Sequence, residues 1–391
     1  MSCIYNLKNS VWLVIHQHAF IFFEATYLNF PHLSTRTNYN SLKNLLLLIP
    51  FIFIIACSKG NEDLSHISNE KSGLDAAKLD SLDSFLKAAG SSSLVIMIDG
   101  KIAHQYGDIT KKHTVHSIRK SLINSLYGIA IEEGIIDTLA TLEDLGIDDI
   151  EGLTNKEKQA TIADLLKSRS GVYHSSGAVS EGMLHNMPKR GQYAAGEHFY
   201  YNNWDFNVLG YILEEATNKS VYQLFKEKIA LPIGMQEYDG EFTEIDGEDP
   251  EAKIPETDGF YQYESSKSKY PAYHFRLSSR DMARYGQLYL QNGNWNGNQI
   301  LSEKWIEAST TPHSITNPGY GIAYGMLWYV LYPNENRSTK SFYHTGTGIH
   351  MLGVYPDSNM VLIHRVDTEK DYSFHQGHFY QMISKVFSSF K

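Results

Sequence analysis

The sequence predicts an α+β fold in which both chain ends build one antiparallel sheet and a mainly helical lobe is inserted between them. Three observations carry this. Two strand-like runs near residue 95 are joined by a tight-turn dipeptide, two more lie near residue 355, and helical spacing dominates the stretch between. Strands at both ends must then share one sheet, whose apolar face is covered by helices.

Taken in order, Asp75 to Ala89 places Ala76, Leu79, Leu82, Phe85 and Leu86 at helical spacing, which predicts an amphipathic helix. Ser93 to Tyr106 reads SLVIMI, Asp99-Gly100, KIAHQY. Glycine accepts the positive φ of a tight turn, so this is a hairpin. Ile118 to Glu133 is apolar nearly all round and stops at Gly134, the pattern of a buried helix with a glycine stop. Residues 160 to about 310 read as mainly helical with long loops, including Asp164–Ser168, Val208–Thr217 and Ser279–Gln291. Strands return at Gly348–Tyr355 and Met360–Val366, either side of the turn sequence Pro356-Asp357-Ser358-Asn359. Phe379 to Phe390 closes the chain as a helix. There is no internal repeat.

The 391 residues are 42% hydrophobic and 20% charged, enough to bury a large core. Net charge is −10, and residues 1–57 contribute Lys8, Arg36 and Lys43 against Glu24, so the remainder is more acidic still. Such a body has no electrostatic reason to bind nucleic acid or an anionic bilayer. Cys3 and Cys57 both precede the globular part, so neither a disulfide framework nor a thiolate metal site is expected. His375 and His378 are three apart without an accompanying acidic ligand set, and no cofactor or metal is expected.

The organisation expected is a leader over 1–57, a polar tether over 58–74 and one globular domain over 75–391. Leu45 to Ala56, LLLLIPFIFIIA, is too short to span a bilayer but suits the hydrophobic region of a signal peptide. Ile54-Ile55-Ala56-Cys57 resembles a bacterial lipobox. That likeness implies lipidation at Cys57 and an exported lipoprotein on the periplasmic or cell-surface face of an outer membrane. Residues 1–41 fit a signal peptide badly, and no methionine lies between Met1 and Met97. Translation is therefore expected to begin near Leu42.

Three motifs carry chemistry. Ser117-Ile118-Arg119-Lys120 heads the buried helix, and a spacing of three puts Ser117 and Lys120 on one face. A serine hydroxyl needs a neighbouring base, and a buried lysine can serve once desolvation disfavours its ammonium form. The same spacing recurs at Ser68, Ser84, Ser266 and Ser388, but only Ser117 opens a long apolar helix after a hairpin. Tyr201-Asn202-Asn203 precedes an apolar helix starting near Phe206, and a phenol beside a lysine can share its proton. Tyr200-Tyr201-Asn202 offers a second register. His344-Thr345-Gly346 stands just before the penultimate strand. A small residue there lets substrate approach the strand edge, and the N–H groups of Thr347 and Ser117 would form an oxyanion hole. Each motif alone also has a purely structural reading: an N-cap serine, a packed loop tyrosine, a hairpin-edge glycine.

Together and in this order, the motifs resemble the serine β-lactamase and penicillin-binding protein superfamily. The branch is the one near class C β-lactamases, D-alanyl-D-alanine carboxypeptidases, β-lactamase-fold esterases and 6-aminohexanoate-oligomer hydrolases. The surrounding segments SIRKSLINSLYGIAIEEG, YYNNWDFNVLGYILEEATNKS and FYHTGTGIHMLGVYPDSNMVLIHRVDT are similar too, and the likeness runs from about residue 75 to the C-terminus. Aligning Leu209-Gly210 with the family's leucine-glycine selects Tyr201 and Asn203. The resemblance implies a β-lactamase/transpeptidase-like fold and an acyl-enzyme on Ser117, with Lys120 and Tyr201 moving its proton. It implies that Asn203 orients substrate or lysine, that the Ser117 and Thr347 amides hold the oxyanion, and that His344 lies beside the substrate. Tyr173, in SGVYH, is a further candidate contact.

One departure matters. Most β-lactamases carry lysine where this chain has His344, and a histidine is mostly uncharged at neutral pH. A serine hydrolase acting on an ester, amide or peptide is therefore the first reading. A β-lactamase or D-alanyl-D-alanine carboxypeptidase is the second, and a catalytically silent surface-binding lipoprotein the third. The partner expected is a small-molecule or peptide substrate, with membrane contact only through the lipid.

Overall fold

A computed structural model of the chain describes residues 64–335 and 337–391, together with a strand pair at Asn6–Leu7 and Ser10–Val11. The expectations for the signal peptide, for Cys57 and for the start of the tether lie outside the described residues. The strand pair belongs to a unit separate from Lys59–Lys391, which carries every element below.

In chain order the elements are α1 (Ala76–Ala89), β1 (Ser93–Ile98), β2 (Lys101–Gly107), β3 (His113–Thr114), α2 (Arg119–Glu132), α3 (Ile162–Leu166) and α4 (Asn203–Thr217). Then follow β4 (Phe242–Asp246), β5 (Gly259–Tyr263), β6 (Ala272–Leu277), α5 (Ser279–Leu290), β7 (Ser314–Asn317), β8 (Ile322–Tyr324) and β9 (Tyr329–Leu331). The chain ends with β10 (Ser341–Gly346), β11 (His350–Tyr355), β12 (Met360–Arg365) and α6 (Gln376–Ser388).

The main sheet has eight strands in the order β7-β8-β9-β10-β11-β12-β1-β2, antiparallel throughout. Its seam joins the chain ends, with Val361 of β12 opposite Met97 of β1 and Ile363 opposite Val95. Asp99 at φ 52° and Gly100 at φ 72° fill the turn between β1 and β2, as the dipeptide predicts. The unbroken SLVIMI run exists because both faces of β1 are covered. Val95 and Met97 pack toward the helical lobe, whereas Leu94, Ile96 and Ile98 pack with Leu79, Leu82 and Leu86 of α1 and Met382 and Val386 of α6.

Two expectations are corrected. The stretch from 160 to 310 is not simply helix and loop, because it supplies three strands of a second sheet of order β3-β6-β5-β4, with β3 joining from outside it. Phe242-Thr243-Glu244-Ile245-Asp246 is polar and largely exposed, so it gives no alternating signal, and its parallel partner β5 supplies the pairing. Residues 64–74 are not a free tether either. Leu64 and Leu74 are buried, His66 bridges Ile102, and Leu74 bridges Phe390, so this segment docks on the body. Among the described residues, no helix is long and apolar enough to cross a membrane.

Candidate active site

The site is built on α2, and the polar residues along that helix explain its fixed orientation. Asn124 is fully buried, yet its amide is satisfied. Its Oδ1 accepts from Tyr289 Oη (2.6 Å), Trp305 Nε1 (3.2 Å) and Trp328 Nε1 (3.3 Å), and its Nδ2 donates to the Met326 carbonyl (2.9 Å). A buried amide whose oxygen and nitrogen are both engaged specifies one rotation of the helix. Gly128 lets Trp305 close on the same helix, since a Cβ there would lie 2.3 Å from the indole.

Ser117 sits in the 3-10 turn His116–Ile118 that feeds α2. His116, immediately before it, has φ 50°, a left-handed conformation that L residues other than glycine seldom adopt. Its Nε2 is held 2.8 Å from Thr368 Oγ1, so the turn is fixed from the far side. One turn on, Lys120 Nζ lies 3.1 Å from Ser117 Oγ. The lysine is 1% exposed, and its Nζ stands 4.9 Å from the ring centre of Tyr201 and 4.8 Å from that of Phe206. Burial first, and the neighbouring Arg119 charge second, push the Lys120 amine well below the usual lysine range.

Tyr201 is delivered by a loop tied to residues 168–173. Ser168 Oγ donates to the Tyr200 carbonyl (2.6 Å), and the Asn202 N–H donates to Ser168 Oγ (3.0 Å). Asn202 caps α4, accepting from the Trp204 N–H (3.1 Å) and donating to the Val172 carbonyl (2.7 Å). The helix thus begins at Asn203, three residues before the position read from the apolar pattern. Asp205 accepts from Ser170 Oγ (2.6 Å) and Asn202 Nδ2 (2.9 Å), and burial pushes its carboxyl well above the usual range. These bonds settle the register. Tyr201 joins Ser117 and Lys120, and a hydrogen bond from the serine partly offsets the burial that raises its phenol. Tyr200 turns away and donates to the Met183 carbonyl (2.8 Å).

The remaining expected residues are placed unequally. His344 is fully buried on β10, with ring centres 6.4 Å from Tyr201 and 5.5 Å from Tyr329. Its Nδ1 lies 2.8 Å from the Thr345 carbonyl, an acceptor only, so Nδ1 carries the hydrogen and Nε2 is a buried lone pair without a partner. Burial, then the Lys120 charge, lower this histidine to about 3. The triplet His344-Thr345-Gly346 lies just before the penultimate strand, β11, as expected, and is itself the end of β10. Gly346 also has a packing role that the sequence did not announce. A Cβ there would lie 2.4 Å from the Val115 carbonyl, so the glycine admits the backbone leading to Ser117. That contact sets the turn that begins at the exposed Thr347 beside the Ser117 segment. Asn203 is buried and donates through Nδ2 to the Ala178 carbonyl, leaving Oδ1 without a partner. Tyr173 packs edge-on against Tyr200 at 5.8 Å, and its electrostatic neighbours are Asp205, Tyr193, Glu197 and Tyr200. Its contacts are with that wall and not with Ser117 or Lys120.

Sequence reading missed three contributors. Tyr324 and Tyr329 box Tyr201 at 6.0 and 6.1 Å, and Arg119 is buried beside Lys120. An arginine in an apolar helix looks like a solvated face, and only the all-round apolar pattern hinted otherwise. Among the described residues, His113, Asp367 and Glu369 are grouped closely enough to hold a metal ion. Arg276 already grips Glu369 through Nε (2.9 Å) and Nη2 (2.7 Å), and Lys111 (3.0 Å) and Lys370 (2.9 Å) hold Asp367. With buried Arg365 adjacent to His113, this surplus of positive charge disfavours a divalent cation.

The family model described as Beta-lactamase matches residues 87–383. The chain belongs to the beta-lactamase family. Solved structures agree on the fold. A Bacillus anthracis protein described as a candidate 6-aminohexanoate-dimer hydrolase is 20% identical, covers 84% of this chain and 87% of its own, and superposes with a TM-score of 0.60. The octameric penicillin-binding protein homologue from Pyrococcus abyssi is 18% identical over 81% of this chain and 77% of its own, with a TM-score of 0.58. A class C beta-lactamase mutant is 16% identical over 80% and 98%, with a TM-score of 0.57. No curated protein matches the sequence. This beta-lactamase-family protein therefore shares an architecture with a 6-aminohexanoate-dimer hydrolase candidate, a penicillin-binding protein homologue and a class C beta-lactamase.

Proposed function

We propose that the protein is a serine acyl hydrolase that cleaves an ester, amide or peptide bond through an acyl-enzyme on Ser117. The observation that carries this reading is the 3.1 Å approach of a fully buried, deprotonation-prone Lys120 amine to Ser117 Oγ. Lys120 takes the Ser117 proton as Oγ bonds to the substrate carbonyl carbon. The amides of Ser117 and Thr347 hold the oxyanion. Tyr201, kept protonated by burial, gives its proton to the leaving alkoxide or amine and recovers one from the Lys120 ammonium. Water then attacks the acyl carbon, and the same pair returns the proton to Ser117. The leader and Cys57 support placing this activity on an exported lipoprotein.

His344 supports esters and amides over β-lactams. A β-lactam presents a carboxylate, and this position offers it a neutral ring instead of a fixed cation. Losing a charged hydrogen bond costs about 1.5–3 kcal/mol, which is roughly 10- to 100-fold in turnover efficiency. A panel of p-nitrophenyl esters, D-Ala-D-Ala peptides and nitrocefin checks this on the soluble body, with Ser117→Ala as control. Turnover of the esters, which carry no carboxylate, should exceed that of nitrocefin and of the D-Ala-D-Ala peptides by that factor and vanish in Ser117→Ala. Efficient nitrocefin hydrolysis would move the reading to a β-lactamase.

A further inference from the structure

We propose that Arg119 is a positioning residue whose unpaired buried charge keeps the Lys120 amine in its base form and favours the anions formed at Ser117 and Tyr201 during turnover. The inference rests on the hydrolase reading for why an amine must be a base here.

Arg119 is 1% exposed. Its guanidinium has one hydrogen bond, from Nη2 to Asn207 Oδ1 of α4 (2.9 Å), and one ring face, Tyr273 of β6 at 4.4 Å. Its Nη1 is buried without a partner. Among the described residues, it forms no ion pair with a carboxylate within 4.0 Å. A single amide oxygen and a ring face do not replace the hydration a guanidinium loses on burial, so the fold alone gives little reason to keep a charge there. A charge held in a dry interior acts over distance, because little water screens it. It opposes a second cation at Lys120, the adjacent residue, and it lowers the cost of negative charge nearby.

The groups facing this pair are few. Ser117 and Lys120 share its helix, Tyr201 and Phe206 come from the α4 end, and His344 comes from β10. Asn207, Tyr273 and His274 surround the guanidinium, with Glu214, Tyr222 and His116 in the next layer. Burial keeps His116, His274 and His344 neutral, and raises Glu214. The arginine is then the fixed charge of the centre, and Lys120 Coulomb energy depends on it first.

The test follows the Lys120 side-chain nitrogen by ¹⁵N NMR titration in lysine-labelled protein, for the wild type, Arg119→Gln and Arg119→Lys. Arg119→Gln keeps a donor for Asn207 and removes the charge. It should raise the Lys120 titration midpoint by at least about one pH unit, the effect of a cation at ε of about 20. The acid limb of kcat/KM on the best ester should move up with it, with KM little changed. Arg119→Lys should restore both. An unchanged Lys120 midpoint in Arg119→Gln would overturn the proposal. So would an equal shift in both variants, or an Arg119→Gln that fails to fold while Arg119→Lys folds, since either assigns the residue to the fold. The titration needs no turnover, so an inactive wild type with the shift would sink the hydrolase reading and leave the electrostatic one standing.

Discussion

Lys120→Met should lower turnover of the best substrate by roughly 10²- to 10⁴-fold, the range for a lost general base, while the melting temperature stays level or rises. The two halves of that expectation come from different parts of the structure. Lys120 Nζ has no carboxylate partner and lies between the rings of Tyr201 and Phe206, where a thioether of similar length makes favourable contacts. Replacing a buried ionisable group by an apolar one of like volume is often neutral or stabilising. The amine nonetheless stands 3.1 Å from Ser117 Oγ, and methionine cannot accept that proton. Steady-state kinetics and a thermal melt on the same preparation check both halves. Near-normal turnover would place the base elsewhere, and a collapsed melting temperature would make the lysine a structural group.

Stability should fall steeply in mild acid, by at least about 3 kcal/mol per pH unit between pH 6 and 4.5. His113, His344 and His364 are buried and lowered to about 4, 3 and 4, and burial holds His274 and His350 well below the usual histidine value. In this window the unfolded chain protonates these five imidazoles and the folded protein does not, and the half-buried His116, also lowered to about 4, adds to the loss. Each therefore contributes stability that is complete above its unfolded value of about 6.5 and is lost as pH falls, at about 1.4 kcal/mol per unit. Asp205 and Asp281 act in the opposite sense. Burial raises both, Asp281 to about 6, so they favour the fold at low pH and offset two of the five, with a smaller offset from Glu214. The net loss over that window is comparable to the whole stability of many domains. Urea unfolding at pH 7, 6, 5.5 and 4.5 reads it out, and an unfolding free energy that stays flat from pH 7 to 5 would contradict the burial of these rings.

Much of this architecture is legible in the sequence because local chemistry and tertiary position agree there. Asp99-Gly100 states its turn, and the apolar surround of α2 states its burial. The order of the three motifs states the family. What was not legible depends on contacts between distant segments. β4 is polar and exposed and exists through pairing with β5. The start of α4 is set by Asn202, whose cap is locked by Ser168 and Val172 some thirty residues earlier. The strained φ of His116 is imposed by Thr368 and the passage of Val115 over Gly346, and no property of histidine announces it. Arg119 was invisible for a similar reason: a charged residue reads as solvent-facing until Asn207 and Tyr273 are seen to enclose it.

The most direct test of the centre at Ser117 is covalent capture. The native protein is treated with a fluorophosphonate probe, its intact mass is measured, and the adduct is located by peptide mapping. The account expects one adduct, on the peptide bearing Ser117, absent in Ser117→Ala and slowed in Lys120→Met. An adduct on another serine, or an unlabelled native protein, would contradict it.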